Sequence, residues 1–572
     1  MRAAGQGVSS RSVAAVPRPK PSGLPFGSRF TDIAAAAGLR DPVIYGEEDR
    51  KDYIFETVGC GVAFIDYDND GWPDLFVLSG TLMGSPEKSA TNRLYHNNRN
   101  GTFTDVTRSA KLERTGWASA VCVGDYDNDG FDDLFITYWG QNVLYHNNGD
   151  GTFTDVTEKA GLIYPKTRWG SGCTFIEARR NGLLDLVVAT YVDFDLLKLP
   201  KPGSDNTCNW KGVPVNCGPQ GLPPGRLFFY RNNGDGSFTD VSDAAGVSKA
   251  AGSYCMTTVA ADFSNNGWQD IFVACDSSSS FLLRNNKNGT FTDVGLESGT
   301  ALNQDGMPQA GMGVGVGDYN LDGRLDIFKT HFADDTNILY KNGGEFRFDD
   351  VTISGGLGVE TRFVSWGTGI TDLDNDGFPE ILFVTGNIYP EVERVLRAYP
   401  FKTPRVIFRN LGNGKFEELV DEAGPGIAAR HASRGCAFGD FDNDGDVDVA
   451  IVNLGEPPSL LRNDVSRAGH WIKVKLAGVQ SNRSAIGALV VARYGGRLQA
   501  QTVMSQSSFY SVNDLRLHFG LGAAEAADLD IHWPSGAIES VSNVQAGNLA
   551  TIREGHGIVR QKPLCDCLPR TR

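Results

Sequence analysis

The stretch Asp66-Tyr67-Asp68-Asn69-Asp70-Gly71-Trp72-Pro73-Asp74 recurs along the chain and decides the fold. Six further copies, three strict, two looser and one degenerate, begin at Asp125, Asp372, Asp440, Asp262, Asp318 and Glu177. Side-chain oxygens at positions 1, 3, 5 and 9, with the carbonyl oxygen of position 7, are ligands that Ca²⁺ prefers, and glycine at position 6 permits a sharp turn around the ion. Apolar, strand-like runs flank the motif. The sequence therefore predicts calcium loops that each join two β-strands.

The candidate metal ligands follow from aligning these copies. In the four strict loops they are Asp66, Asp68, Asp70, Trp72, Asp74; Asp125, Asp127, Asp129, Phe131, Asp133; Asp372, Asp374, Asp376, Phe378, Glu380; and Asp440, Asp442, Asp444, Asp446, Asp448. In the looser loops they are Asp318, Asn320, Asp322, Arg324, Asp326; and Asp262, Ser264, Asn266, Asp270. The residue at position 7 contributes only its main-chain carbonyl. The loop at 318 carries one charge fewer and should bind less tightly, and the loop at 262 is either a weak site or a hydrogen-bonded turn.

The loop at Glu177 departs from the pattern because Arg179 and Arg180 replace oxygen ligands. A guanidinium at position 3 repels a cation, so we expect this loop to be empty and the chain to bind about five or six Ca²⁺ ions. Their role is expected to be structural, since an ion that binds only the folded state stabilises it. A catalytic metal more often has histidine or cysteine ligands and an open position.

A second phrase alternates with the metal loops and is clearest in LYHNNGDGTFTDV, from Leu144 to Val156. Its Phe recurs as Phe30, Phe103, Phe153, Phe238, Phe291, Phe348 and Phe416. Internal repetition at this spacing, with about four short strands in each repeat, predicts an all-β fold, a seven-bladed β-propeller over residues 28–465. Phe30 precedes every metal loop, and the seventh repeat lacks such a strand. We therefore expect the N-terminal strand to complete the seventh blade and remove its open edge.

Composition limits the possible partners. The net charge of −16 argues against nucleic acid and anionic membranes, and no apolar run is long enough to span a bilayer. Residues 1–27, rich in Pro, Ser and Arg, are expected to be disordered and show no secretion signal, so a cytoplasmic location is not excluded. The protein is expected to be a monomer.

Two further regions interrupt or follow the repeats. An insertion at 191–226 contains Cys208 and Cys217, which form either a disulfide in an oxidising compartment or two thiols on a loop. From residue 470 to 556 short alternating strands without metal loops predict a small β-sandwich, followed by a tail at 557–572 that contains Cys565 and Cys567.

The metal loops with their Phe-Thr-Asp strands resemble FG-GAP (VCBS-type) repeats, the units of integrin α-chain propellers. The phrases Asn482-Arg483-Ser484-Ala485-Ile486-Gly487, His518-Phe519-Gly520-Leu521-Gly522 and Trp533-Pro534-Ser535-Gly536 resemble an ASPIC/UnbV domain. Together they are similar to the bacterial cartilage acidic protein-like family. The resemblance implies calcium binding and an extracellular, periplasmic or cell-surface location.

Two functions remain open from the sequence. The first is non-catalytic recognition of a protein or glycan by the loops of a rigid propeller. The second is a tailoring enzyme of secondary-metabolite biosynthesis, with its pocket at the propeller mouth or between the domains, because some family members are encoded with enediyne biosynthesis. The sequence contains no HExxH motif, nucleophile elbow or phosphate-binding loop. We therefore favour recognition, with no catalytic or cofactor residues assigned.

Overall fold

A computed structural model describes residues 11–84, 87, 90–199, 201–204, 208–250, 252–466 and 469–564. Within these residues the protein is all-β, with seven four-stranded antiparallel units followed by two four-stranded sheets. This agrees with the expected fold class of a propeller-like repeat region and a sandwich.

The strands of the first four units lie in chain order. They are Val62–Ile65, Asp74–Val77, Arg93–Asn97 and Phe103–Asp105; Trp117–Gly124, Asp133–Gly140, Val143–Asn147 and Phe153–Asp155; Arg168–Ile176, Asp185–Thr190, Leu227–Asn232 and Phe238–Asp240; and Tyr254–Ala261, Asp270–Asp276, Phe281–Asn285 and Phe291–Asp293. The second and third units share one sheet because Arg168 and Trp169 pair with Gly140 and Trp139.

The strands of the last three units follow the same plan. They are Val314–Gly317, Asp326–Lys329, Ile338–Asn342 and Phe348–Asp350; Ser365–Thr371, Glu380–Thr385, Val406–Asn410 and Phe416–Leu419; and Ser433–Gly439, Asp448–Asn453 and Ser459–Asn463. In every unit a metal loop joins the first strand to the second. First and second strands are buried almost throughout, which explains why they read as continuous apolar runs.

The seventh unit takes its fourth strand from the start of the chain. Phe30 pairs with Asn463, Thr31 with Arg462 and Asp32 with Leu461, in antiparallel register. Phe30 is fully buried. The first strand of the seventh unit also packs beside that of the first unit, so the two ends of the repeat region meet.

The few helices are one turn long and lie in connections. They are Ala34–Ala37, Phe55–Val58, Gly295–Ser298, Pro390–Glu393 and Pro425–Ala428, with 3₁₀ turns at Leu196–Lys198 and Val247–Lys249. In the described part of the chain, no helix has the length and apolar character needed to cross a lipid bilayer.

The C-terminal domain consists of two sheets. Their strands, in sheet order, are Leu517–Gly522, His470–Ala477, Asn548–Arg553 and Gly557–Pro563; and Arg497–Thr502, Leu489–Tyr494, Ala526–His532 and Ile538–Gln545. The strand Gly557–Pro563 pairs with Asn548–Arg553 and so belongs to the domain, whereas we expected a tail from residue 557. Cys565 and Cys567 lie outside the described residues.

The segment 11–27 has defined contacts, which differs from the disorder expected for residues 1–27. Arg18 donates to Glu418, and Arg409 donates to the carbonyl of Leu24. The amide of Gly27 donates to Asp374 in the sixth metal loop. The sequence did not indicate these contacts, because they are polar and link residues more than 300 positions apart.

The insertion at 191–226 forms a small hairpin, Cys208–Trp210 with Val213–Val215. Cys208 and Cys217 are joined by a disulfide, which decides between the two alternatives that the sequence left open. Trp210 packs edge-on against Phe332 and Tyr399 of later units. The insertion therefore reaches from the third unit across to the fifth and sixth.

Candidate metal centres

All seven loops share one backbone conformation. Position 4 has a positive φ in every copy, between 51° and 61°, and the residues are Asn69, Asn128, Arg180, Asn265, Leu321, Asn375 and Asn443. The amide of the position-6 glycine donates to the position-1 carboxylate in every copy, as from Gly71 to Asp66 at 3.2 Å and from Gly377 to Asp372 at 2.7 Å. The turn predicted from the glycine therefore forms, and it directs the position-1 side chain into the loop.

The side chain at position 9 is fixed from the third strand. The amide of Asn97 donates to Asp74 at 2.7 Å, and the amide of Asn147 donates to Asp133 at 2.8 Å. The same bond recurs in every unit, from Asn232, Asn285, Asn342, Asn410 and Asn463. Position 9 is thus held at the loop by a strand that the nonapeptide does not include.

In the strict loops the predicted carboxylates come together. Ligand oxygens lie within 4.8 Å of one another in the groups Asp66, Asp68, Asp70; Asp125, Asp127, Asp133; and Asp372, Asp374, Glu380. Asp372 and Glu380 are fully buried. Buried oxygens of Asp74, Asp372 and Asp442 accept no hydrogen bond. Orphaned, buried acceptors of this kind fit a bound cation, because without one their desolvation is uncompensated.

The pKa values of these carboxyl groups show the same effect. Burial, helped by the charges of Asp68 and Asp70 and opposed by the hydrogen bond from Asn97, raises the pKa of Asp74 to about 9. Burial, followed by the charge of Asp442, raises the pKa of Asp444 to about 9. Crowded carboxylates in a dry loop need either protons or a positive ion, and a divalent ion satisfies several of them together.

In the strict loops, the main-chain amide of the position-7 residue donates a hydrogen bond to the position-5 carboxylate. Trp72 donates to Asp70, Phe131 to Asp129, Phe378 to Asp376 and Asp446 to Asp444. This bond orients the position-5 carboxylate. The use of the position-7 carbonyls as ligands remains a prediction.

The two looser loops are partly satisfied within the protein. In the loop at 318, Arg324 donates through its side chain to Asp322 at 2.6 Å, and Asn320 donates to the same carboxylate at 2.9 Å. In the loop at 262, Asp262 accepts from the amides of Asn266 and Gly267, yet one buried oxygen of Asp270 has no hydrogen-bond partner.

The third loop contains its own cation. The guanidinium of Arg179 donates to both oxygens of Asp185, at 2.8 and 3.1 Å, and Asp185 is fully buried. Arg180 points away and donates to the carbonyl of Gly267. Arg179 therefore binds the position-9 carboxylate that an ion would contact in a complete loop.

Two histidines outside the nonapeptides lie at the first two loops. His96 Nδ1 is 3.2 Å from Asp74 Oδ1, and His146 Nδ1 is 3.2 Å from Asp127 Oδ2. Each stands directly before the asparagine that fixes position 9, in the repeated phrase Leu-Tyr-His-Asn-Asn. The repeated histidine is visible in the sequence, but only the strand pairing shows that its position faces the loop.

Asparagine also links each unit to its neighbour. Asn147 Nδ2 donates to the carbonyl of Tyr67, at position 2 of the preceding loop, and Asn97 donates in the same way to Phe441 of the seventh unit. The remaining units repeat this bond, from Asn232, Asn285, Asn342, Asn410 and Asn463 to Tyr126, Ala178, Phe263, Tyr319 and Leu373. Every loop is therefore bonded to the next unit in cyclic order.

The C-terminal domain covers the end of the repeat region that carries the loops. Lys473 is 3.3 Å from Asp440, with both side chains buried, and Lys475 is 3.4 Å from Asp66. Asn482 donates to Glu177 at 2.9 Å. Further contacts join Ser484 to Asp132, Ala500 to Asp318, His518 to Asn375 and Arg516 to Asn443.

A segment of the same domain, residues 503–516, passes between the first strands of the units. Tyr510 accepts from the amide of Val121, Ser508 exchanges amide bonds with Val314, and Val512 exchanges them with Val62 and Phe64. Phe509 and Tyr510 are fully buried, and Phe509 packs against Trp366. We call residues 503–516 the axial segment.

Comparisons with known proteins agree with this architecture. The sequence profile described as FG-GAP-like repeat matches residues 66–136, 125–188, 221–273, 262–329 and 398–451. The profile described as ASPIC and UnbV matches residues 478–559. The chain therefore belongs to the FG-GAP-like repeat proteins that carry an ASPIC and UnbV domain.

Among curated proteins, the chain is similar to cartilage acidic protein 1. It is 28% identical to the Homo sapiens protein over 328 residues, which cover 55% of this chain and 46% of the relative. It is 28% identical to the Mus musculus protein over 316 residues, covering 53% and 45%. The chain thus spans about half the length of the curated relatives it matches.

Solved structures give weaker likenesses. A lectin of Agrocybe aegerita that recognises terminal N-acetylglucosamine is 17% identical, with a TM-score of 0.35 and coverage of 70% of this chain and 86% of that one. The BP39L lectin of Burkholderia pseudomallei is 9% identical, with a TM-score of 0.40 and coverage of 72% and 97%. These TM-scores are too low to support an argument about function.

Proposed function

We propose that this chain is a calcium-binding, non-catalytic recognition module built on a closed seven-bladed propeller. The seven four-stranded units are its blades, and the strand Phe30–Asp32 completes the seventh. The seven asparagine bonds in cyclic order support the closed ring, because they join the first unit to the seventh as they join all others.

The observation that carries the calcium proposal is the set of buried carboxylate oxygens without hydrogen-bond partners, at Asp74, Asp372 and Asp442. Hard oxygen ligands on a flexible loop suit Ca²⁺. The strict loops and the loop at 318 would each hold one ion, and the loop at 262 is the sixth candidate. The ions would be structural, since the C-terminal domain contacts the loops and their carboxylates.

The third loop tests this proposal most specifically. We expect about five or six Ca²⁺ ions per chain by metal analysis after dialysis against transition-metal-free buffer. Asp442→Arg, which places an arginine at position 3 as in the third loop, should lower the count by one, whereas Asp150→Asn, in an exposed hairpin, should leave it unchanged. A count of seven would contradict the assignment of Arg179 as the internal cation, and a count of zero would contradict the calcium proposal.

We place recognition at the end of the ring opposite the C-terminal domain. There the insertion at 191–226 crosses the axis, and a cleft of about 470 Å³ is lined by acidic Glu48, Asp49 and Glu393 and by basic Arg394 and Lys402. A rigid cleft lined by both acidic and basic side chains suits a polar protein or glycan surface. The disulfide in the insertion fits an extracellular or periplasmic location.

The axis itself leaves little room for a substrate. The axial segment fills one end, the insertion covers the other, and the cavity between them, lined by Tyr191, Asp276 and Trp366, measures about 40 Å³. Ligand pockets for small molecules are typically at least about 300 Å³. This favours recognition over an enzyme with its pocket at the propeller mouth.

Binding to a glycan array and to extracellular-matrix proteins tests the recognition site. Arg394→Glu with Lys402→Glu should abolish binding of any ligand found, because both side chains face the cleft. Arg553→Glu, an exposed site on the C-terminal domain, is the matched control and should bind as the parent does. Loss of binding in the control alone would place the recognition surface on that domain.

A further inference from the structure

The first two loops differ from the other five in the residue that precedes the linking asparagine. This residue is His96 in the first unit and His146 in the second. In the other units it is a long basic residue, and these are Arg231, Arg284, Lys341, Arg409 and Arg462. Only the first two loops therefore have an imidazole nitrogen at this position.

Both imidazoles lie among the carboxylates of their loops. His96 Nδ1 lies 3.2 Å from Asp74 Oδ1 and 3.6 Å from Asp68 Oδ2. His146 Nδ1 lies 3.2 Å from Asp127 Oδ2 and 3.3 Å from Asp133 Oδ1. Two ligand atoms about 2.1 Å from one metal ion, at tetrahedral or octahedral angles, are separated by roughly 3.0 to 3.5 Å. The observed distances have this size.

The orientation of these groups supports a shared ion over a simple hydrogen bond. His96 Nδ1 and His146 Nδ1 are buried and make no hydrogen bond, despite the nearby oxygens. Asp74 is 1% exposed, and its Oδ2 also has no hydrogen-bond partner. The position-2 tyrosines, Tyr67 and Tyr126, pack edge-on against the two imidazoles at 85° and 84° and hold both in the same orientation.

We infer that the loops at Asp66 and Asp125 bind a first-row divalent transition-metal ion, with His96 or His146 as a nitrogen ligand beside the carboxylates. Calcium takes oxygen ligands, whereas imidazole nitrogen favours Zn²⁺, Fe²⁺, Co²⁺ and related ions. This inference rests on the proposed metal-binding role of the loops: the first two hold Ca²⁺ when transition metals are absent and exchange it for a transition-metal ion when one is present. The protein would then carry two kinds of metal site.

Cobalt titration in the presence of saturating Ca²⁺ tests this inference. The full-length protein should bind two equivalents of Co²⁺, and crystals should show anomalous scattering from cobalt at the first two loops. His96→Asn should bind one equivalent, and the variant with His96→Asn and His146→Asn none, with affinity at each altered loop at least about tenfold lower.

Two controls separate a specific site from general binding. Lys341→Gln alters the same strand position in the fifth unit, and His556→Gln removes an exposed histidine; both should keep two equivalents. Equal cobalt binding by the parent and the double variant would overturn the inference. Calcium that stays bound at the first two loops when cobalt is present would overturn it as well but leave the calcium proposal standing, and neither metal bound would contradict both.

Discussion

At the scale of single residues, the loops combine side chains from three places. The nonapeptide provides the carboxylates, and the third strand provides the asparagine that fixes position 9. At the first and seventh loops, the C-terminal domain provides a lysine beside position 1. Lys473 and Asp440 illustrate the third contribution, since their side chains are 1% and 0% exposed and lie 3.3 Å apart. This ion pair joins the domain to the seventh loop without access to water.

Lys473→Met should therefore destabilise the protein by roughly 3 kcal/mol, because removing one partner leaves a buried charge. Lys475→Met is the matched control. Lys475 is 43% exposed and 3.4 Å from Asp66, so its loss should cost less than about 1 kcal/mol. Chemical denaturation of both variants measures the difference, and equal costs would contradict the importance of burial at the seventh loop.

A second residue-scale prediction concerns His331. This side chain is fully buried, and burial, followed by the charge of Lys329, lowers its pKa well below the ordinary value. The folded state keeps it neutral while the unfolded state takes up a proton below about pH 6.5. The stability due to the neutral ring is therefore present above that pH and is lost as the pH falls.

His331→Gln should remove this component of acid sensitivity. Between pH 7.5 and 5.5 the parent should lose about 1.4 kcal/mol more stability than the variant. His556→Gln, at an exposed turn, should follow the parent at both pH values. An unchanged difference between parent and His331→Gln across this range would contradict the buried, neutral state of His331.

The sequence predicted the carboxylates of these loops but not their partners. Positions 1, 3, 5 and 9 could be read from the nonapeptide because their spacing is local. The links from Asn97 and Asn147, and the nearness of His96 and His146, could not, because they depend on which strand end faces which loop. Arg179 and Asp185 are positions 3 and 9 of one loop, so both could be read locally, but only the structure shows that they form an ion pair.

At the scale of elements, the strand Phe30–Asp32 joins the two ends of the repeat region. Its three residues pair with Asn463, Arg462 and Leu461. The order of the two motifs predicted this pairing. One Phe-Thr-Asp strand precedes the first metal loop, and the seventh unit has no such strand of its own. The axial segment had no such signal, since residues 503–516 belong to no repeat.

Deletion of residues 1–36 should lower the melting temperature of the whole repeat region, because the seventh unit would expose the edge of Ser459–Asn463. Deletion of residues 1–27 is the matched control. It removes the contacts of Arg18 and Leu24 but keeps the strand, so its effect should be smaller. A protein without residues 1–36 that melts at the parent temperature would contradict closure by this strand.

At the scale of the whole molecule, the C-terminal domain and the repeats share one core. Phe509 and Tyr510 of the axial segment are buried among first strands, and the domain contacts the loops. We therefore expect both regions to unfold in a single calorimetric transition. Phe509→Ala should lower the free energy of unfolding of this single transition by about 3 to 5 kcal/mol, because it leaves a cavity. Two separate transitions in the parent would contradict the shared core.

The central claim is that ions in the oxygen-rich loops hold the units together, and melting with and without calcium tests it most directly. Each ion should contribute roughly 2.7 kcal/mol at a hundredfold excess over its Kd, so removal of all ions by EGTA should lower the melting temperature by about 10 °C or more. Added Ca²⁺ should restore it. A melting curve that does not move on chelation would contradict the account.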